Sequence, residues 1–152
     1  MNTTQHTYTL HTEEATRAFG ERIGRALRGG EVLELIGDIG AGKTALTKGI
    51  SKGLGVTDDV QSPTFTISRI YRARDGLSLA HYDFYRLSDP GILKMELHEV
   101  VHDPHTVTVI EWGRVVQGIL PDSKISIILE SVSDTSRQVT IIGEIPEMEK
   151  SE

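Results

Sequence analysis

Apolar side chains repeat at helical spacing early in the chain, at Ala15, Phe19, Ile23, Ala26 and Leu27. Thr12 precedes them with a hydroxyl suited to an N-cap, and Glu13 and Glu14 follow in the first turn, where the helix dipole favours negative charge. The glycine pair at residues 29–30 interrupts the pattern. This spacing predicts a helix that begins after Thr12 and ends before the glycines.

Short apolar or alternating stretches follow, and they predict strands separated by further helices. The predicted strands cover residues 8–11, 31–36, 64–72, 77–84, 107–110, 125–129 and 138–142. The predicted helical segments cover residues 43–54, 92–102 and 115–120. Strands that alternate with helices indicate an α/β sheet covered on both faces, and the turns at 74–76 and after 129 make it a mixed sheet.

One glycine-rich segment carries the clearest chemistry: Gly37-Asp38-Ile39-Gly40-Ala41-Gly42-Lys43-Thr44 matches G-x-x-x-x-G-K-[ST], the phosphate-binding loop. It lies between the strand at 31–36 and the helix at 43–54, as that loop requires. Glycines allow backbone N–H groups to surround phosphate oxygens, and the helix N-terminus attracts the negative charge. Lys43 can reach the terminal phosphates, and the Thr44 hydroxyl can hold Mg²⁺. We therefore expect a P-loop NTPase-like fold.

Acidic residues at strand ends are candidates for the rest of a nucleotide–metal site. Asp83 ends the run Leu79-Ala80-His81-Tyr82-Asp83 in the strand at 77–84, and Glu111 follows the strand at 107–110, so both are expected at the edge where the loop lies. Thr64 lies in a segment that P-loop proteins often use to sense the γ-phosphate. The only asparagine is Asn2, so an Asn-Lys-x-Asp guanine-reading element is absent. This favours adenine or loose base specificity.

Length, charge and cysteine content limit the remaining possibilities. The 152 residues suit one domain, predicted at 1–143, with a charged C-terminal tail at 144–152 expected to be disordered. The net charge of −6 argues against a surface that grips nucleic acid throughout. Without cysteine there is no thiolate metal site or cysteine nucleophile. No signal peptide or membrane-spanning run is evident, so a cytoplasmic protein without membrane contact is expected.

A second motif, His98-Glu99-Val100-Val101-His102, matches the zinc-metalloprotease pattern H-E-x-x-H. Pro104 follows almost at once, and the longer extension with a glycine turn and a third histidine is missing. We interpret the segment as an amphipathic helix with exposed histidines, not as a zinc site.

Taken together, the motifs resemble those of the TsaE family (also called YjeE), small bacterial P-loop ATPases needed for threonylcarbamoyladenosine modification of tRNA. The resemblance runs from about Thr12 to about Ile142. Besides the phosphate loop it rests on Lys48-Gly49, Gly53-Leu54-Gly55, Ser62-Pro63-Thr64-Phe65-Thr66, Tyr71, His81-Tyr82-Asp83-Phe84-Tyr85-Arg86-Leu87 and Ile110-Glu111-Trp112.

The resemblance implies roles for individual residues. MgATP would be bound by the loop and its neighbours, namely Gly37, Asp38, Gly40, Ala41, Gly42, Lys43, Thr44 and Ala45, with Thr64 and Arg137 close by and Glu14 near the adenine. Thr44, Glu111 and Asp83 would hold Mg²⁺. Asp83, Glu111 and Lys43 would serve hydrolysis, with Trp112 in support.

The resemblance also implies partners, the TsaD and TsaB proteins, whose threonylcarbamoyl transferase complex ATP hydrolysis would reset or regulate. The resemblance implies that the chain contacts tRNA only through that complex. A slow, partner-stimulated ATPase is the first prediction, and two alternatives remain open. One is a small-molecule P-loop kinase, which usually closes an arginine-bearing lid over the phosphates. The other is a nucleotide-gated adaptor without catalysis.

Overall fold

The computed structural model describes residues 4–38, 40–58, 68–85, 91 and 93–145. The strands are β1 (Gln5–Leu10), β2 (Val32–Ile36), β3 (Ser68–Arg72), β4 (Ser78–Asp83), β5 (Thr106–Glu111), β6 (Ile125–Ser131) and β7 (Arg137–Ile142). The helices are α1 (Glu13–Ala26), α2 (Lys43–Gly53) and α3 (Leu93–Val100). Short 3₁₀ turns lie at Arg74–Gly76 and Gly113–Val116.

The seven strands form one mixed sheet in the order β1-β7-β6-β2-β5-β4-β3. The central strands β6, β2, β5 and β4 run parallel to one another, whereas β3 pairs antiparallel with β4, and β7 pairs antiparallel with both β6 and β1. The carboxyl ends of β2, β4 and β5 therefore meet at one edge of the sheet. This is the position at which open α/β sheets place ligands.

Each face of the sheet is covered by its own apolar cluster. Helices α1 and α2 pack on one face through side chains that include Phe19, Ile23, Leu46 and Ile50. Helix α3 and the segment after β5 cover the other face, with Leu97 and Val116 among their buried side chains. The alternation along β2 divides its residues between the two clusters. A mixed α/β sheet with helices on both faces, predicted from the sequence, is thereby confirmed.

Glycines set how closely α1 and α2 approach each other. Gly20 and Gly24 on α1 face Gly49 and Gly53 on α2, and each pair is spaced by four residues, so it lies on one helical face. A Cβ atom on Gly20 would lie 2.5 Å from the carbonyl oxygen of Leu46, and one on Gly49 would collide with the carbonyl oxygen of Arg17. The two backbones are therefore in direct contact, and any side chain here would force the helices apart.

Arg74 binds the C-terminal ends of the same two helices. Its guanidinium donates to the carbonyl oxygens of Gly53 (2.8 Å) and Leu27 (2.6 Å), and also to those of Gly24 and Arg25. Carbonyls at a helix C-terminus have no partner within the helix and carry the negative end of the dipole. One cation thus stabilises the C-terminal ends of both α1 and α2.

Several boundaries differ from the sequence predictions. Strand β1 begins three residues earlier than expected, and the predicted helix at 115–120 is a 3₁₀ turn at Gly113–Val116. Ile145, near the start of the predicted tail, is 3% exposed and packs in the core, and residues 146–152 of that tail lie outside the described residues. Residues 64–67 of the predicted third strand lie outside the described residues. Over the described ranges, no helix is long and apolar enough to cross a membrane.

Candidate functional site

The phosphate-loop motif connects β2 to α2, as its pattern requires. Gly42 is the N-cap of α2 with φ +102°, a left-handed conformation that a side chain would strain. The loop turns tightly before it, since the amide of Ala41 donates to the carbonyl oxygen of Asp38 at 3.0 Å. The first free N–H groups of α2 therefore lie beside the loop, where an anion gains both hydrogen bonds and the helix dipole.

A cleft of about 540 Å³ opens above this loop. Its walls gather residues from across the chain, namely Glu13, Thr16, Gly40, Gly42, Lys43, Thr44, Ala45, Asp83, Tyr85, Glu111, Trp112, Asp134, Thr135 and Arg137. Most of the predicted site residues are among them. The structure therefore brings the loop, both strand-end carboxylates and the late arginine into one cavity.

Lys43 is held at the floor of the cleft. Its ammonium donates to the carbonyl oxygen of Gly37 at 2.6 Å and lies 3.7 Å from the centre of the Trp112 ring. Burial lowers the pKa of Lys43, and the charges of Glu111, Asp83 and Asp38 oppose that shift. A cation that is partly removed from water and surrounded by carboxylates is suited to receive the charge of a phosphate group.

Asp83 and Glu111 are brought together by strand register. Strands β4 and β5 run parallel with Asp83 directly opposite Glu111, both at the carboxyl end of the sheet. Glu111 is 3% exposed and accepts a hydrogen bond from His81, while Asp83 accepts one from the backbone amide of Tyr85 at 3.0 Å. Burial raises the pKa of Asp83, and the neighbouring charge of Glu111 adds to the increase. Two carboxylates this close gain from a shared cation.

The side chains at this edge fit a magnesium ion that is carried by a nucleotide. Thr44 offers a hydroxyl, and Asp83 and Glu111 offer carboxylates, which are the oxygen ligands that Mg²⁺ prefers. Among the residues that the structure describes, no group of three or more His, Cys, Asp or Glu side chains could hold a metal ion alone. In proteins Mg²⁺ usually keeps several waters and takes further ligands from substrate phosphates.

The hairpin β6–β7 forms a wall of the cleft opposite the sheet edge. Arg137 donates to the carbonyl oxygens of Ser133 and Ser136, both at 3.0 Å, and to that of Gly40 at 3.3 Å. It therefore joins the hairpin turn to the phosphate loop. Asp134 and Thr135 in that turn line the same cleft.

Trp112 occupies an unusual backbone conformation beside the site. Its φ of +57° and ψ of +47° are left-handed, which costs a non-glycine residue about 1–3 kcal/mol. The conformation turns the chain sharply after Glu111, and the indole ring lies 4.7 Å from the ring of Tyr85. The two rings and Lys43 form a contiguous group at one side of the cleft.

Other predicted residues lie elsewhere. Gly37 and Asp38 line a second cavity of about 460 Å³ that shares Lys43 and Trp112 with the main cleft. Ala41 is buried in the core. Glu14 lines a separate groove with residues of α2, whereas Glu13 and Thr16 are the residues of α1 on the cleft wall. Thr64 lies outside the described residues, so its predicted role remains a prediction.

Sequence reasoning missed part of the cleft wall. Thr16 resembles an ordinary helix residue, and Asp134 and Thr135 resemble turn residues at 132–136. No local pattern distinguishes them, because they reach the cleft only through the placement of α1 and of the β6–β7 hairpin beside β2. His81 offered a signal, since it falls in the motif that contains Asp83, but its partner Glu111 is 30 residues away.

The zinc-protease pattern has a different local structure. Helix α3 ends at Val100, so His102 lies beyond the helix rather than one turn along it. The Nδ1–H group of His102 donates to the carbonyl oxygen of His98 at 2.8 Å, and both side chains are exposed. This bond occupies one ring nitrogen of His102.

Fold and site together define a class, the P-loop nucleotide-binding proteins with a mixed α/β sheet. Comparison with known sequences identifies a family within this class. Residues 10–139 match the family model "Threonylcarbamoyl adenosine biosynthesis protein TsaE". The chain belongs to the TsaE family.

Individual relatives agree with this assignment. The tRNA threonylcarbamoyladenosine biosynthesis protein TsaE of Bacillus subtilis (strain 168) is 39% identical over 133 residues, which cover 87% of this chain and 81% of that protein. The protein of the same name from Streptomyces coelicolor is 41% identical, with 84% and 89% covered. Among solved structures, Bacillus subtilis YdiB superposes with a TM-score of 0.77 at 33% identity, covering 94% of this chain and 88% of that one.

Proposed function

We propose that the chain binds and hydrolyses MgATP in the cleft and thereby takes part in threonylcarbamoyladenosine modification of tRNA. The main observation behind this proposal is that one cavity above the phosphate-binding loop is lined by Lys43, Thr44, Asp83 and Glu111. Family membership supplies the pathway, since the relatives are named as biosynthesis proteins of that modification.

Each residue of the site has a role that follows from its chemistry. The loop amides and Lys43 bind the phosphates, and Lys43 exchanges its contact with the Gly37 carbonyl for the stronger attraction of the phosphate charge. Thr44, Asp83 and Glu111 supply oxygen ligands for Mg²⁺, which when bound neutralises charge that develops during phosphoryl transfer. Asp83 also orients the attacking water. Tyr85 and Trp112 limit access of bulk water on one side.

The base and ribose are expected at the other end of the cleft. Thr16 of α1 and the turn residues Asp134 and Thr135, which line the cleft, offer polar groups for them. Arg137 links that end to the phosphate end. No residue in the chain supplies the asparagine-based guanine element, which supports ATP as the nucleotide.

We further propose that hydrolysis is slow in the isolated chain and coupled to a TsaD–TsaB complex, whose transferase cycle it resets. tRNA is then reached through that complex. Thr64, in the segment Ser62-Pro63-Thr64-Phe65, is proposed to respond to the γ-phosphate and to pass this signal to the partner.

The test is ATP hydrolysis by the purified chain, measured alone and with a TsaB–TsaD complex and tRNA. We expect strong stimulation by the complex and its loss in Glu111→Ala. Phosphoryl transfer to a metabolite with little hydrolysis would instead identify a kinase. If Asp83→Ala and Glu111→Ala keep full partner function while Lys43→Ala abolishes it, the chain is a nucleotide-gated adaptor.

A further inference from the structure

A buried histidine contacts the site without lining the cleft. His81 is 1% exposed, and its Nε2 atom lies 2.8 Å from Oε2 of Glu111, which is 3% exposed. Strand register explains the contact. His81 is opposite Val109 on β5, and Glu111 is two residues further along that strand, so the two side chains are diagonal neighbours on one face.

The direction of this hydrogen bond follows from its surroundings. An ionised carboxylate only accepts, so Nε2 must carry the hydrogen. The other ring nitrogen, Nδ1, is buried and has no hydrogen-bond partner among the described residues. A buried N–H without a partner is costly, whereas a bare ring nitrogen loses only an acceptor interaction. We therefore assign the neutral tautomer with hydrogen on Nε2, which makes His81 a fixed donor.

This bond restricts the orientation of Glu111. A glutamate side chain has three rotatable bonds, and the bond from His81 is the only hydrogen bond that the carboxylate accepts from the described part of the chain. With Oε2 engaged by His81, Oε1 is the oxygen left to face the cleft. Carboxylates that bind metal ions are themselves hydrogen-bonded by outer residues, which fix their orientation.

We propose that His81 is a positioning residue that holds the Glu111 carboxylate for the metal ion of a bound nucleotide. The inference rests on the proposed function, in that it takes Glu111 as a metal ligand. His81 itself touches neither nucleotide nor metal. We therefore expect His81 to affect how strongly Mg²⁺ increases the affinity for the nucleotide, and not the affinity for the nucleotide without metal.

The test compares His81→Asn with His81→Gln. The amide nitrogen of glutamine reaches about as far as Nε2 of histidine, whereas that of asparagine ends near Nδ1 and cannot meet Glu111. Thr108→Val is the matched control, because Thr108 is fully buried on β5 with an unpartnered hydroxyl but belongs to the opposite face of the sheet. Unfolding midpoints of all variants are measured alongside.

The readout is calorimetric binding of a non-hydrolysable ATP analogue, once in EDTA and once with saturating Mg²⁺. The ratio of the two dissociation constants measures the coupling between metal and nucleotide. In His81→Asn we expect this ratio to fall about tenfold while the EDTA constant stays unchanged. His81→Gln should restore most of the ratio, and Thr108→Val should leave it as in the native chain.

Two results would overturn the proposal. One is a native ratio in His81→Asn. The other is weaker binding in EDTA, in both His81 variants, by an amount that matches the decrease in their unfolding midpoints. That result would mean that the histidine is purely structural. Glu111→Gln separates this from failure of the proposed function. If Glu111→Gln keeps the native ratio, Glu111 is not a metal ligand, and the proposed site is wrong rather than its positioning.

Discussion

At the residue scale, the cleft combines one buried cation with two neighbouring carboxylates. Lys43, Asp83 and Glu111 come from three different elements, and the charge of each affects the others. Such an arrangement is unfavourable for folding on its own account, because like charges meet and a cation loses hydration. It becomes favourable when a phosphate and a divalent cation are added.

The first prediction concerns Lys43. Lys43→Ala removes the ammonium that the phosphates would meet and is expected to weaken ATP binding by about a hundredfold, in line with loss of a buried charge-assisted contact. Lys52→Ala, on the same helix with its side chain 77% exposed, should bind ATP as the native chain does. Isothermal titration calorimetry measures both. Equal affinities of the two variants would remove Lys43 from the phosphate site.

The second prediction uses the pKa of Asp83, which burial raises above its ordinary 3.8. Between 3.8 and the raised value, the folded state binds more protons than the unfolded state, so the free energy of unfolding decreases as pH rises through that window. Asp83→Asn keeps an acceptor for the Tyr85 amide but carries no charge. It should therefore be more stable than the native chain at pH 7, with a difference that shrinks toward pH 4.

Urea unfolding at both pH values measures this difference. Asp122→Asn, at an exposed position, serves as the control and should change stability by less than about 0.5 kcal/mol. A native chain that is as stable at pH 7 as Asp83→Asn would show that the Asp83 charge is not destabilising. Loss of ATP turnover in the more stable variant is also expected, because stability and function compete at such sites.

At the element scale, α1 and α2 act as one unit that fixes the helix following the phosphate loop. Their glycines bring the backbones into contact, and Arg74 joins their C-terminal ends. The N-terminus of α2, with Lys43 and Thr44, is therefore set by packing along its whole length and not by the loop alone.

Gly49→Ala tests the glycine contact. The added Cβ would collide with the carbonyl oxygen of Arg17, and the clash exceeds the roughly 1 kcal/mol that alanine gains in a helix. We expect a net loss of about 2 kcal/mol in the free energy of unfolding. Gly118→Ala, where a Cβ meets nothing within 4 Å, should be nearly neutral. Equal stabilities in urea unfolding would mean that the helices can separate without cost.

Arg74→Ala tests the shared helix ends. It removes bonds to four carbonyl oxygens, and because the side chain is 30% exposed we expect a loss of about 2 kcal/mol rather than their full sum. Arg72→Ala, two residues earlier and exposed, should change stability by less than about 0.5 kcal/mol. Thermal and urea unfolding of the two variants give the comparison, and similar losses in both would assign the effect to net charge.

At the scale of the whole molecule, the sheet order places the β6–β7 hairpin beside the phosphate loop and its cleft. Strand β7 lies between β1 and β6, and β6 lies beside β2, which leads into the phosphate loop. The hairpin turn can therefore contact a loop that is almost a hundred residues earlier, through Arg137 and Gly40. Binding in the cleft is expected to order both segments together.

Arg137→Ala tests that connection. Loss of the link between the turn and the loop should weaken ATP binding about tenfold, equivalent to about 1.4 kcal/mol. In the native chain, hydrogen exchange of amides in residues 133–136 should slow when MgATP is added, and in the variant this protection should be lost. Arg69→Ala, on β3 at the opposite edge of the sheet, is the control. If Arg137→Ala binds ATP with native affinity, the hairpin does not contribute to the nucleotide site.

The sequence by itself determined the local parts of this protein. Thr12 as N-cap, the strand–loop–helix around Lys43 and the closing hairpin were all predicted, because capping, glycine conformation and apolar periodicity act over a few residues. The loop motif and the strand-end positions of Asp83 and Glu111 were also visible, since they depend on order along the chain.

Only the tertiary structure decided which distant residues meet. The Asp83–Glu111 register, the His81–Glu111 bond, the shared helix ends at Arg74 and the arrival of Asp134 and Thr135 at the cleft all depend on which strands are neighbours. Strand order is set by packing two apolar clusters against one sheet, a property of the whole chain. No short stretch of sequence contains that information, because the contacts that decide it join residues far apart.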